Sequence, residues 1–310
     1  MNSVSPIYIV GPTASGKSAV AFALAEQLGG EIISADSMQV YRGMDIGTAK
    51  PSPEERTRVP HHLVDVVELT EPFDAAGFAA LARQAEQEIL SRGRVPIFCG
   101  GTGLYLKAHL DGLGDAPPPD ASLRQELEAA PLPDLLHELE RHDPATFARI
   151  DRRNPRRVIR AVEVLRLTGR PFSQQRADWS QPVSSTLKHG PRLFGFIRTA
   201  EDLRGRIETR VDNMFASGLV EETRQLLRRG LERNKTAMQA IGYRQVVEYL
   251  RGDRPLADTL ELVKTKTRQF AKRQLTWFRH QFPVEWMPVE GDQVEELARQ
   301  IALRSMDKWP

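Results

Sequence analysis

The stretch IYIVGPTASGKSAVAFALAEQL, residues 7–28, decides the fold class of this chain. Ile7–Val10 is a short apolar run typical of a buried strand, and the residues from Ser18 to Leu28 have apolar side chains at helical spacing. Between them lies GPTASGKS, which matches the pattern G-x-x-x-x-G-K-[ST] in the context that this pattern requires. The stretch therefore predicts a strand, a phosphate-binding loop and a helix.

The loop GPTASGKS contains the residue types that phosphate binding needs. Its glycines let the backbone bend so that successive N–H groups point at phosphate oxygens, and the following helix adds its positive end. Lys17 supplies a full charge, and the hydroxyl of Ser18 can hold Mg²⁺. The loop alone leaves open whether a phosphoryl group is transferred. The predicted pyrophosphate- or polyphosphate-binding residues are Gly11, Pro12, Thr13, Ala14, Ser15, Gly16, Lys17 and Ser18.

Strand-like and helix-like segments alternate around this loop, which predicts a mostly parallel sheet. Besides Ile7–Val10, the strand-like segments are Glu31–Ser34, Val95–Cys99 and 192–198, with a helix expected over Asp74–Ser91. The later expected elements are helices at about 200–217, 219–229, 239–250 and 255–278, a strand near 284–288 and a helix from about 292.

A stretch rich in Gly and Pro, DGLGDAPPPD at 111–120, marks a change of character. Only helical patterns follow it as far as about residue 168. We therefore predict an α/β fold with a P-loop NTPase-like core and a small inserted helical domain. The core comprises residues 1–115 and 191–310, and the insertion comprises residues 116–190.

The composition excludes several classes of protein. With 43 basic and 41 acidic side chains among 310 residues, the net charge of +2 does not by itself indicate an anionic partner. A single cysteine, Cys99, excludes a disulfide framework within the chain and a cysteine-rich zinc site. There is neither a signal-peptide pattern nor an apolar run of about 18 residues. We expect a cytoplasmic protein without membrane association.

Polar residues follow the second and third predicted strands, where ligands of open α/β sheets bind. Asp36 follows the second strand and could orient a nucleophile, accept its proton or bind Mg²⁺ through water; the alternative is an Asp that only starts a turn. Asp45 is a weaker candidate because glycines flank it. Thr102 follows the third strand within CGGTG and is a candidate polar contact, unless this segment is simply a tight turn.

Two segments have unusual basic character. Arg156, Arg157 and Arg160 crowd the start of a helix, the unfavourable end of the helix dipole for cations, so they favour an anionic partner over ordinary surface charge. The segment 264–280 contains six Lys and Arg residues and no acidic residue. Its stripe of Lys264, Arg268 and Lys272 suits a nucleic-acid backbone. The aromatic residues of this segment could stack on bases but more often pack in a core.

Six segments together resemble the bacterial tRNA dimethylallyltransferase family, the isopentenyl-pyrophosphate:tRNA transferases. The segments are GPTASGKS, SADSMQVYRGMDIGTAKP, GGTGLYLKA, NPRRVIRAVEVLRLTGRP, AIGYRQ and KRQLTWFRH. The resemblance extends from about residue 7 to residue 281 and implies a P-loop core with a helical insertion. It also implies transfer of a dimethylallyl group from dimethylallyl diphosphate to N6 of the adenine immediately 3′ of the anticodon.

The resemblance further implies roles for individual residues. The phosphate loop would retain pyrophosphate as the leaving group, and Asp36 would be the general base that accepts the N6 proton. The choice of Arg210 over Arg206 as a pyrophosphate contact rests on the resemblance alone. The implied catalytic residues are Asp36, Thr102 and Lys17, and the implied pyrophosphate ligands outside the loop backbone are Lys17, Arg210 and Mg²⁺ held by Ser18.

The resemblance also implies binding of the tRNA anticodon stem-loop, by a protein that we expect to be a monomer. The implied tRNA contacts are Asp36, Ser37, Met38, Gln39, Thr102, Arg124, Arg156, Arg157, Val158, Ile159, Arg160, Gln239, Ala240, Ile241, Gly242, Tyr243, Arg244, Lys272, Arg273, Gln274, Leu275, Thr276, Trp277, Phe278 and Arg279.

Two other functions account for part of the sequence. A P-loop kinase acting on a small molecule explains the loop and Mg²⁺ but gives the basic helix no role. A non-catalytic RNA-binding NTPase explains the basic helices but gives Asp36 no chemistry. The sequence departs from the family pattern in having Ser18 where many relatives have Thr; either hydroxyl can bind Mg²⁺.

Overall fold

The computed structural model describes residues 5–179 and 192–306. Within them, six parallel strands form one sheet in the order β3-β2-β4-β1-β5-β6. The strands are β1 (Ile7–Val10), β2 (Glu31–Ser34), β3 (His61–His62), β4 (Pro96–Gly100), β5 (Arg192–Ile197) and β6 (Glu285–Pro288). The predicted α/β fold with a mostly parallel sheet is confirmed, and β3 is a short strand that the sequence did not indicate.

Helices, loops and short 3₁₀ turns connect the strands. The helices are α1 (Lys17–Leu28), α2 (Pro53–Arg58), α3 (Ala75–Ser91), α4 (Gly103–Asp111), α5 (Ala121–Ala129), α6 (Leu132–His142), α7 (Pro144–Arg149), α8 (Pro155–Thr168), α9 (Ala200–Ala216), α10 (Leu219–Arg228), α11 (Tyr243–Leu250), α12 (Leu256–Gln281) and α13 (Val294–Met306). The predicted helix over 239–250 is wrong at its start, because Ala237–Gln239 forms a 3₁₀ turn and Gly242 has a φ of 98°.

Both faces of the central strands β1 and β4 are buried, which explains their apolar runs. Along β1, Ile7 and Ile9 pack into a cluster on one face together with residues of α1 and α13. Tyr8 and Val10 point to the other face and pack with residues of α3, α4 and α12. The alternation of side chains along a strand therefore divides β1 between two apolar layers.

The described residues fall into two compact units, one formed by residues 5–110 and 192–306 and the other by residues 111–179. The second unit consists mainly of α5–α8, which pack around a small core that includes Leu127, Leu135, Leu139 and Val162. Residues 180–190 of the predicted insertion lie outside the described residues.

None of the helices within residues 5–179 and 192–306 is both long enough and apolar enough to cross a membrane.

Candidate active site

The candidate site lies at the carboxyl ends of the central strands. β1 is paired with β4 on one side and β5 on the other, whereas β2 lies beyond β4, so the chain reverses direction across the sheet at β1. The register aligns Val10 with Gly100 and Ser34 with Cys99, which brings the loops after β1, β2 and β4 to one edge. Such a reversal point is where ligands of open α/β sheets bind.

The phosphate loop joins β1 to α1. Gly16 precedes α1 with a φ of 99°, a conformation that residues with a side chain rarely adopt. The Nζ atom of Lys17 donates a hydrogen bond to the carbonyl oxygen of Pro12 at 3.1 Å, and burial lowers the pKa of this lysine. Ser18 is exposed at the first turn of α1. The loop therefore presents a charged amine, a hydroxyl and a helix N-terminus at one place.

Two arginine side chains from later in the chain donate hydrogen bonds to the backbone of this loop. Nε of Arg198 donates to the carbonyl oxygen of Ser15 at 2.8 Å, and Nε of Arg206 donates to that of Ala14 at 3.2 Å. Arg206 also forms an ion pair of 2.9 Å with Asp292. These contacts show that Arg206 supports the loop backbone, and neither it nor Arg198 was recognised in this role from the sequence.

Arg210, one helical turn after Arg206, borders two cavities beside the phosphate loop. One has a volume of about 140 Å³ and is also lined by Lys17, Asp36 and Gln274. The other has a volume of about 1010 Å³ and is also lined by Lys17 and Arg206. Burial lowers the pKa of Arg210, and the charge of Asp36 opposes this shift. Arg210 thus lines the same small cavity as Lys17 of the loop and Asp36.

Asp36 follows β2 and is partly buried. Its Oδ1 atom accepts the backbone N–H of Met38 at 2.9 Å, which holds the carboxylate in a turn. The same carboxylate interacts electrostatically with both Lys17 and Arg210. Asp36 therefore starts a turn and also borders the cavity. A role in starting the turn and a chemical role, the two alternatives from the sequence, are thus compatible.

Thr102 links the third loop to the second. Its Oγ1 accepts the N–H of Ser37 at 3.1 Å, and its own N–H donates to the carbonyl oxygen of Ala35 at 3.1 Å. Thr102 is partly buried. Its two partners, Ala35 and Ser37, are the residues before and after Asp36 in the chain. The position of the Asp36 loop is therefore fixed by Thr102.

The glycines around Thr102 allow a helix of the protein itself to approach. A Cβ atom on Gly101 would lie 2.0 Å from Nε2 of Gln274, and one on Gly103 would lie 2.1 Å from the Trp277 ring. Both partners belong to α12. These glycines are therefore needed because any side chain there would collide with α12. This agrees with the interpretation of the segment as a tight turn.

Cys99, at the end of β4, lines the smaller cavity. Burial raises the pKa of its thiol to about 11, although Lys17 acts in the opposite direction. The thiol is therefore protonated at neutral pH, and a protonated thiol is a poor nucleophile.

The residues predicted to contact tRNA range from exposed through partly buried to buried. The side chains that are exposed are those of Arg156, Arg157, Gln239, Arg244, Lys272, Arg273, Thr276 and Arg279. The buried ones are those of Val158, Ala240, Tyr243, Gln274 and Phe278. Stacking of Tyr243 or Phe278 on a base is not supported, because both rings are fully enclosed in apolar clusters.

The basic stripe of the long helix α12 is only partly available to a ligand. Lys264 pairs with Asp212 at 2.8 Å, and Arg268 pairs with Glu208 at 3.1 Å. Both acids lie on α9, so the segment itself contains no acid, but the first half of its basic stripe is paired within the protein. Within the described residues, no carboxylate lies within 4.0 Å of Lys272. Its charge is therefore not balanced by an ion pair and can interact with a partner.

In the second unit, Glu163 organises two of the predicted tRNA-binding arginines. Its fully buried carboxylate lies 2.7 Å from Arg124 and 2.7 Å from Arg160. The same side chain accepts the N–H of Asp120 at 3.1 Å. Arg124 and Arg160 remain partly exposed, so Glu163 holds two guanidinium groups close together at the surface of this unit.

The arrangement has limited means of holding a metal ion. Within residues 5–179 and 192–306, no group of three His, Cys, Asp or Glu side chains is placed to bind one. Ser18, an exposed residue, lines both cavities. One hydroxyl ligand suits Mg²⁺, which commonly takes its other ligands from water and substrate phosphates.

The parallel sheet, the phosphate loop and the carboxylate beside it define a P-loop protein of the α/β class. The family model described as IPP transferase matches residues 39–281, and that described as isopentenyl transferase matches residues 5–71. Because the first match spans most of the chain, the protein belongs to the IPP transferase family.

Individual relatives agree with this assignment. The chain is 47% identical over 304 residues to a tRNA dimethylallyltransferase of Geobacillus kaustophilus, with 95% of each chain covered. A crystal structure of the tRNA isopentenylpyrophosphate transferase from Bacillus halodurans shares 40% identity and a TM-score of 0.70, covering 98% of this chain and 97% of that one. A eukaryotic dimethylallyltransferase acting on tRNA shares 27% identity and a TM-score of 0.76, covering 97% and 78%. The predictions of the family and of a prenyl-transferring enzyme are confirmed.

Proposed function

We propose that the protein transfers a dimethylallyl group from dimethylallyl diphosphate to N6 of the adenine immediately 3′ of the anticodon in tRNA, with release of pyrophosphate. One observation carries this proposal. The carboxylate of Asp36 borders the same small cavity as Lys17 and Arg210. A base for the acceptor and two cations for the leaving group therefore meet in one place.

The cations act on the donor. In the reaction the bond between C1 and the diphosphate oxygen breaks, and pyrophosphate leaves with the electron pair. Lys17, Arg210 and the helix N-terminus stabilise the negative charge that develops on it. Ser18 would hold Mg²⁺ against the diphosphate, and the ion would neutralise further charge there.

Asp36 acts on the acceptor. The lone pair of an adenine N6 is delocalised into the ring, so loss of a proton as the new C1–N6 bond forms makes the attack feasible. The hydrogen bond from Met38 orients the Asp36 carboxylate, and we assign it as the general base that takes this proton. Thr102 supports the base by holding the adjacent Ser37.

The tRNA is recognised by the exposed basic side chains. Lys272, Arg273 and Arg279 lie on α12, and Arg156 and Arg157 lie at the start of α8. Such side chains neutralise phosphates of the anticodon stem-loop. The target adenine leaves its stack to reach Asp36, at a cost of about a few kcal/mol. Because the proposed substrate is tRNA, we expect the protein to act in the cytoplasm, and its monomeric state stays a prediction.

The direct test is incubation of the protein with Mg²⁺, dimethylallyl diphosphate and unmodified tRNA, followed by nucleoside mass spectrometry. We expect a dimethylallyl mass gain on adenosine. Asp36→Ala should lower the rate by at least about 100-fold, within the range of general-base catalysis, while tRNA affinity stays within about threefold. Asp253→Ala, in an exposed turn, is the matched control. An absence of gain with conversion of ATP to ADP would favour the small-molecule kinase instead.

A further inference from the structure

The side chain of Gln274 connects two loops of the site. It lies on α12 with 7% of its surface exposed. Its amide oxygen accepts the N–H of Thr13 at 2.8 Å, and its amide nitrogen donates to the carbonyl oxygen of Gly101 at 2.9 Å. One buried amide thus joins the phosphate loop after β1 to the loop after β4.

The connection continues to the base. Gly101 precedes Thr102, whose Oγ1 accepts the N–H of Ser37 at 3.1 Å. Ser37 in turn follows Asp36 in the chain. Gln274 therefore stands at the centre of a hydrogen-bonded path that begins at the loop for the leaving group and ends beside the base.

The surrounding residues are shaped for this amide. A Cβ atom on Gly101 would lie 2.0 Å from Nε2 of Gln274 and 3.3 Å from the carbonyl oxygen of Gly11. Only glycine allows the amide, the phosphate loop and the loop after β4 to approach this closely. An apolar side chain at 274 would leave the Thr13 N–H and the Gly101 carbonyl without this partner, and unpaired buried polar groups are costly.

Two simpler roles explain less. A direct contact of Gln274 with tRNA would need an exposed amide, whereas both ends of this buried amide already bind the protein. A purely packing role would not need a side chain with one donor and one acceptor aimed at different loops. The remaining role is to set the relative position of the two loops.

We propose that Gln274 is a positioning residue, which holds the pyrophosphate-binding loop and the Asp36 loop at the separation that prenyl transfer requires. This proposal rests on the proposed function. It predicts that a change at Gln274 lowers kcat with little effect on tRNA binding, because a small displacement of reacting groups lowers the rate steeply.

The first experiment compares Gln274→Met with Gln269→Met, an exposed position on the same helix. We expect Gln274→Met to lower kcat by about 30- to 100-fold per folded molecule, with the tRNA Kd within about twofold of the parent. Gln269→Met should leave both unchanged. A kcat within threefold of the parent (roughly 0.6 kcal/mol) would overturn the proposal, as would a loss confined to tRNA affinity.

Two further variants separate positioning from general destabilisation. Gly101→Ala should displace the amide and lower kcat similarly, and the double variant with Gln274→Met should lose little more, because both act on one contact. Gln274→Glu should be impaired at neutral pH, since its carboxylate repels the Gly101 carbonyl oxygen. Its rate relative to the parent should recover in mild acid, where a protonated carboxyl donates to that oxygen. Additive losses, or no recovery in acid, would contradict the proposal.

Amide hydrogen exchange distinguishes a failure of this proposal from a failure of the proposed function. In Gln274→Met the Thr13 N–H should exchange at least about tenfold faster, whatever reaction the protein catalyses. If the parent protein transfers no dimethylallyl group, the proposed function fails, and affinity for inorganic pyrophosphate with Mg²⁺ then replaces kcat as the readout. Unchanged exchange at Thr13 would overturn the proposal in either case.

Discussion

The hydroxyl of Tyr243 on α11 donates a 2.5 Å hydrogen bond to the partly buried carboxylate of Glu222 on α10. The same carboxylate accepts the backbone N–H of Ile46 at 2.9 Å, and the Tyr243 oxygen accepts that of Gly47 at 3.1 Å. Burial and the neighbouring Glu222 raise the pKa of Tyr243, so its hydroxyl remains a donor. This pair therefore anchors the loop GMDIGTAKP by its backbone.

Removal of the hydroxyl should loosen this anchor. We expect Tyr243→Phe to lower the free energy of unfolding by about 1–3 kcal/mol, because Glu222 and the Gly47 N–H lose a buried partner. Urea unfolding would measure the change. Tyr249→Phe on the same helix should stay within about 0.5 kcal/mol. Equal behaviour of the two variants would show that the hydroxyl of Tyr243 does not stabilise the loop.

Lys50 is a second anchor of the same loop. Its Nζ atom lies 2.5 Å from Asp45 and 2.6 Å from Asp65, and only 1% of its side chain is exposed. Lys50→Met should therefore destabilise the protein by about 2–3 kcal/mol, less than a fully buried pair because Asp45 and Asp65 keep contact with water. Thermal unfolding would test this, with the exposed Lys266→Met as control. An unchanged midpoint for Lys50→Met would contradict it.

The ion pairs of α12 separate two lysines that are alike in sequence. Lys272→Ala should weaken tRNA binding and reduce the slope of affinity against salt by about one unit, because one phosphate contact is lost. Lys264→Ala should leave that slope unchanged, because Asp212 and Glu261 already neutralise Lys264. Filter binding at several salt concentrations would measure both. Equal slopes for the two variants would show that Lys272 does not contact the backbone.

Acid should lower the free energy of unfolding through Glu31, the first residue of β2. Glu31 is almost fully buried, which raises its pKa, but hydrogen bonds from His62 and Arg92 outweigh this effect and hold the pKa below its usual value. As the pH falls, the Glu31 carboxylate therefore becomes protonated at a higher pH in the unfolded chain than in the folded chain. Its stabilising contribution is complete above the ordinary carboxyl pKa of about 4.3 and is lost as the pH falls through the folded value.

Urea unfolding between neutral pH and about pH 4 would test this contribution. We expect Glu31→Gln to be less stable than the parent at neutral pH and to lose less stability on acidification. Glu290→Gln, at an exposed position after β6, should retain the acid dependence of the parent. A parallel loss in the parent and Glu31→Gln would assign the acid sensitivity to other carboxyl groups.

Much of the core was predictable because its signals are local. Ile7–Val10 and Glu31–Ser34 occur as predicted, since short apolar runs between turn residues have few other ways to bury their side chains. The helix predicted over Asp74–Ser91 is likewise found, with Asp74 as its N-cap. The two-residue strand β3 was missed, because a strand that short has no periodicity to detect.

The site was predictable only where chemistry is written in one contiguous segment. The phosphate loop and Asp36 could be identified because each follows a recognisable strand. Lys50 and Glu222 were missed, since their partners are distant in sequence or belong to the backbone. Lys264 and Arg268 were misinterpreted for the same reason: the acids that pair with them lie on another helix.

The sequence by itself determined the alternation of strands and helices, the phosphate loop and the family, because these depend on residue types at fixed spacing. The tertiary structure decided which arginine supports the loop, which lysines are balanced by ion pairs and which groups the Gln274 amide contacts. Such choices depend on distances between segments far apart in the chain. Arg206 reaches the Ala14 carbonyl and Gln274 reaches Thr13 only after the sheet has assembled.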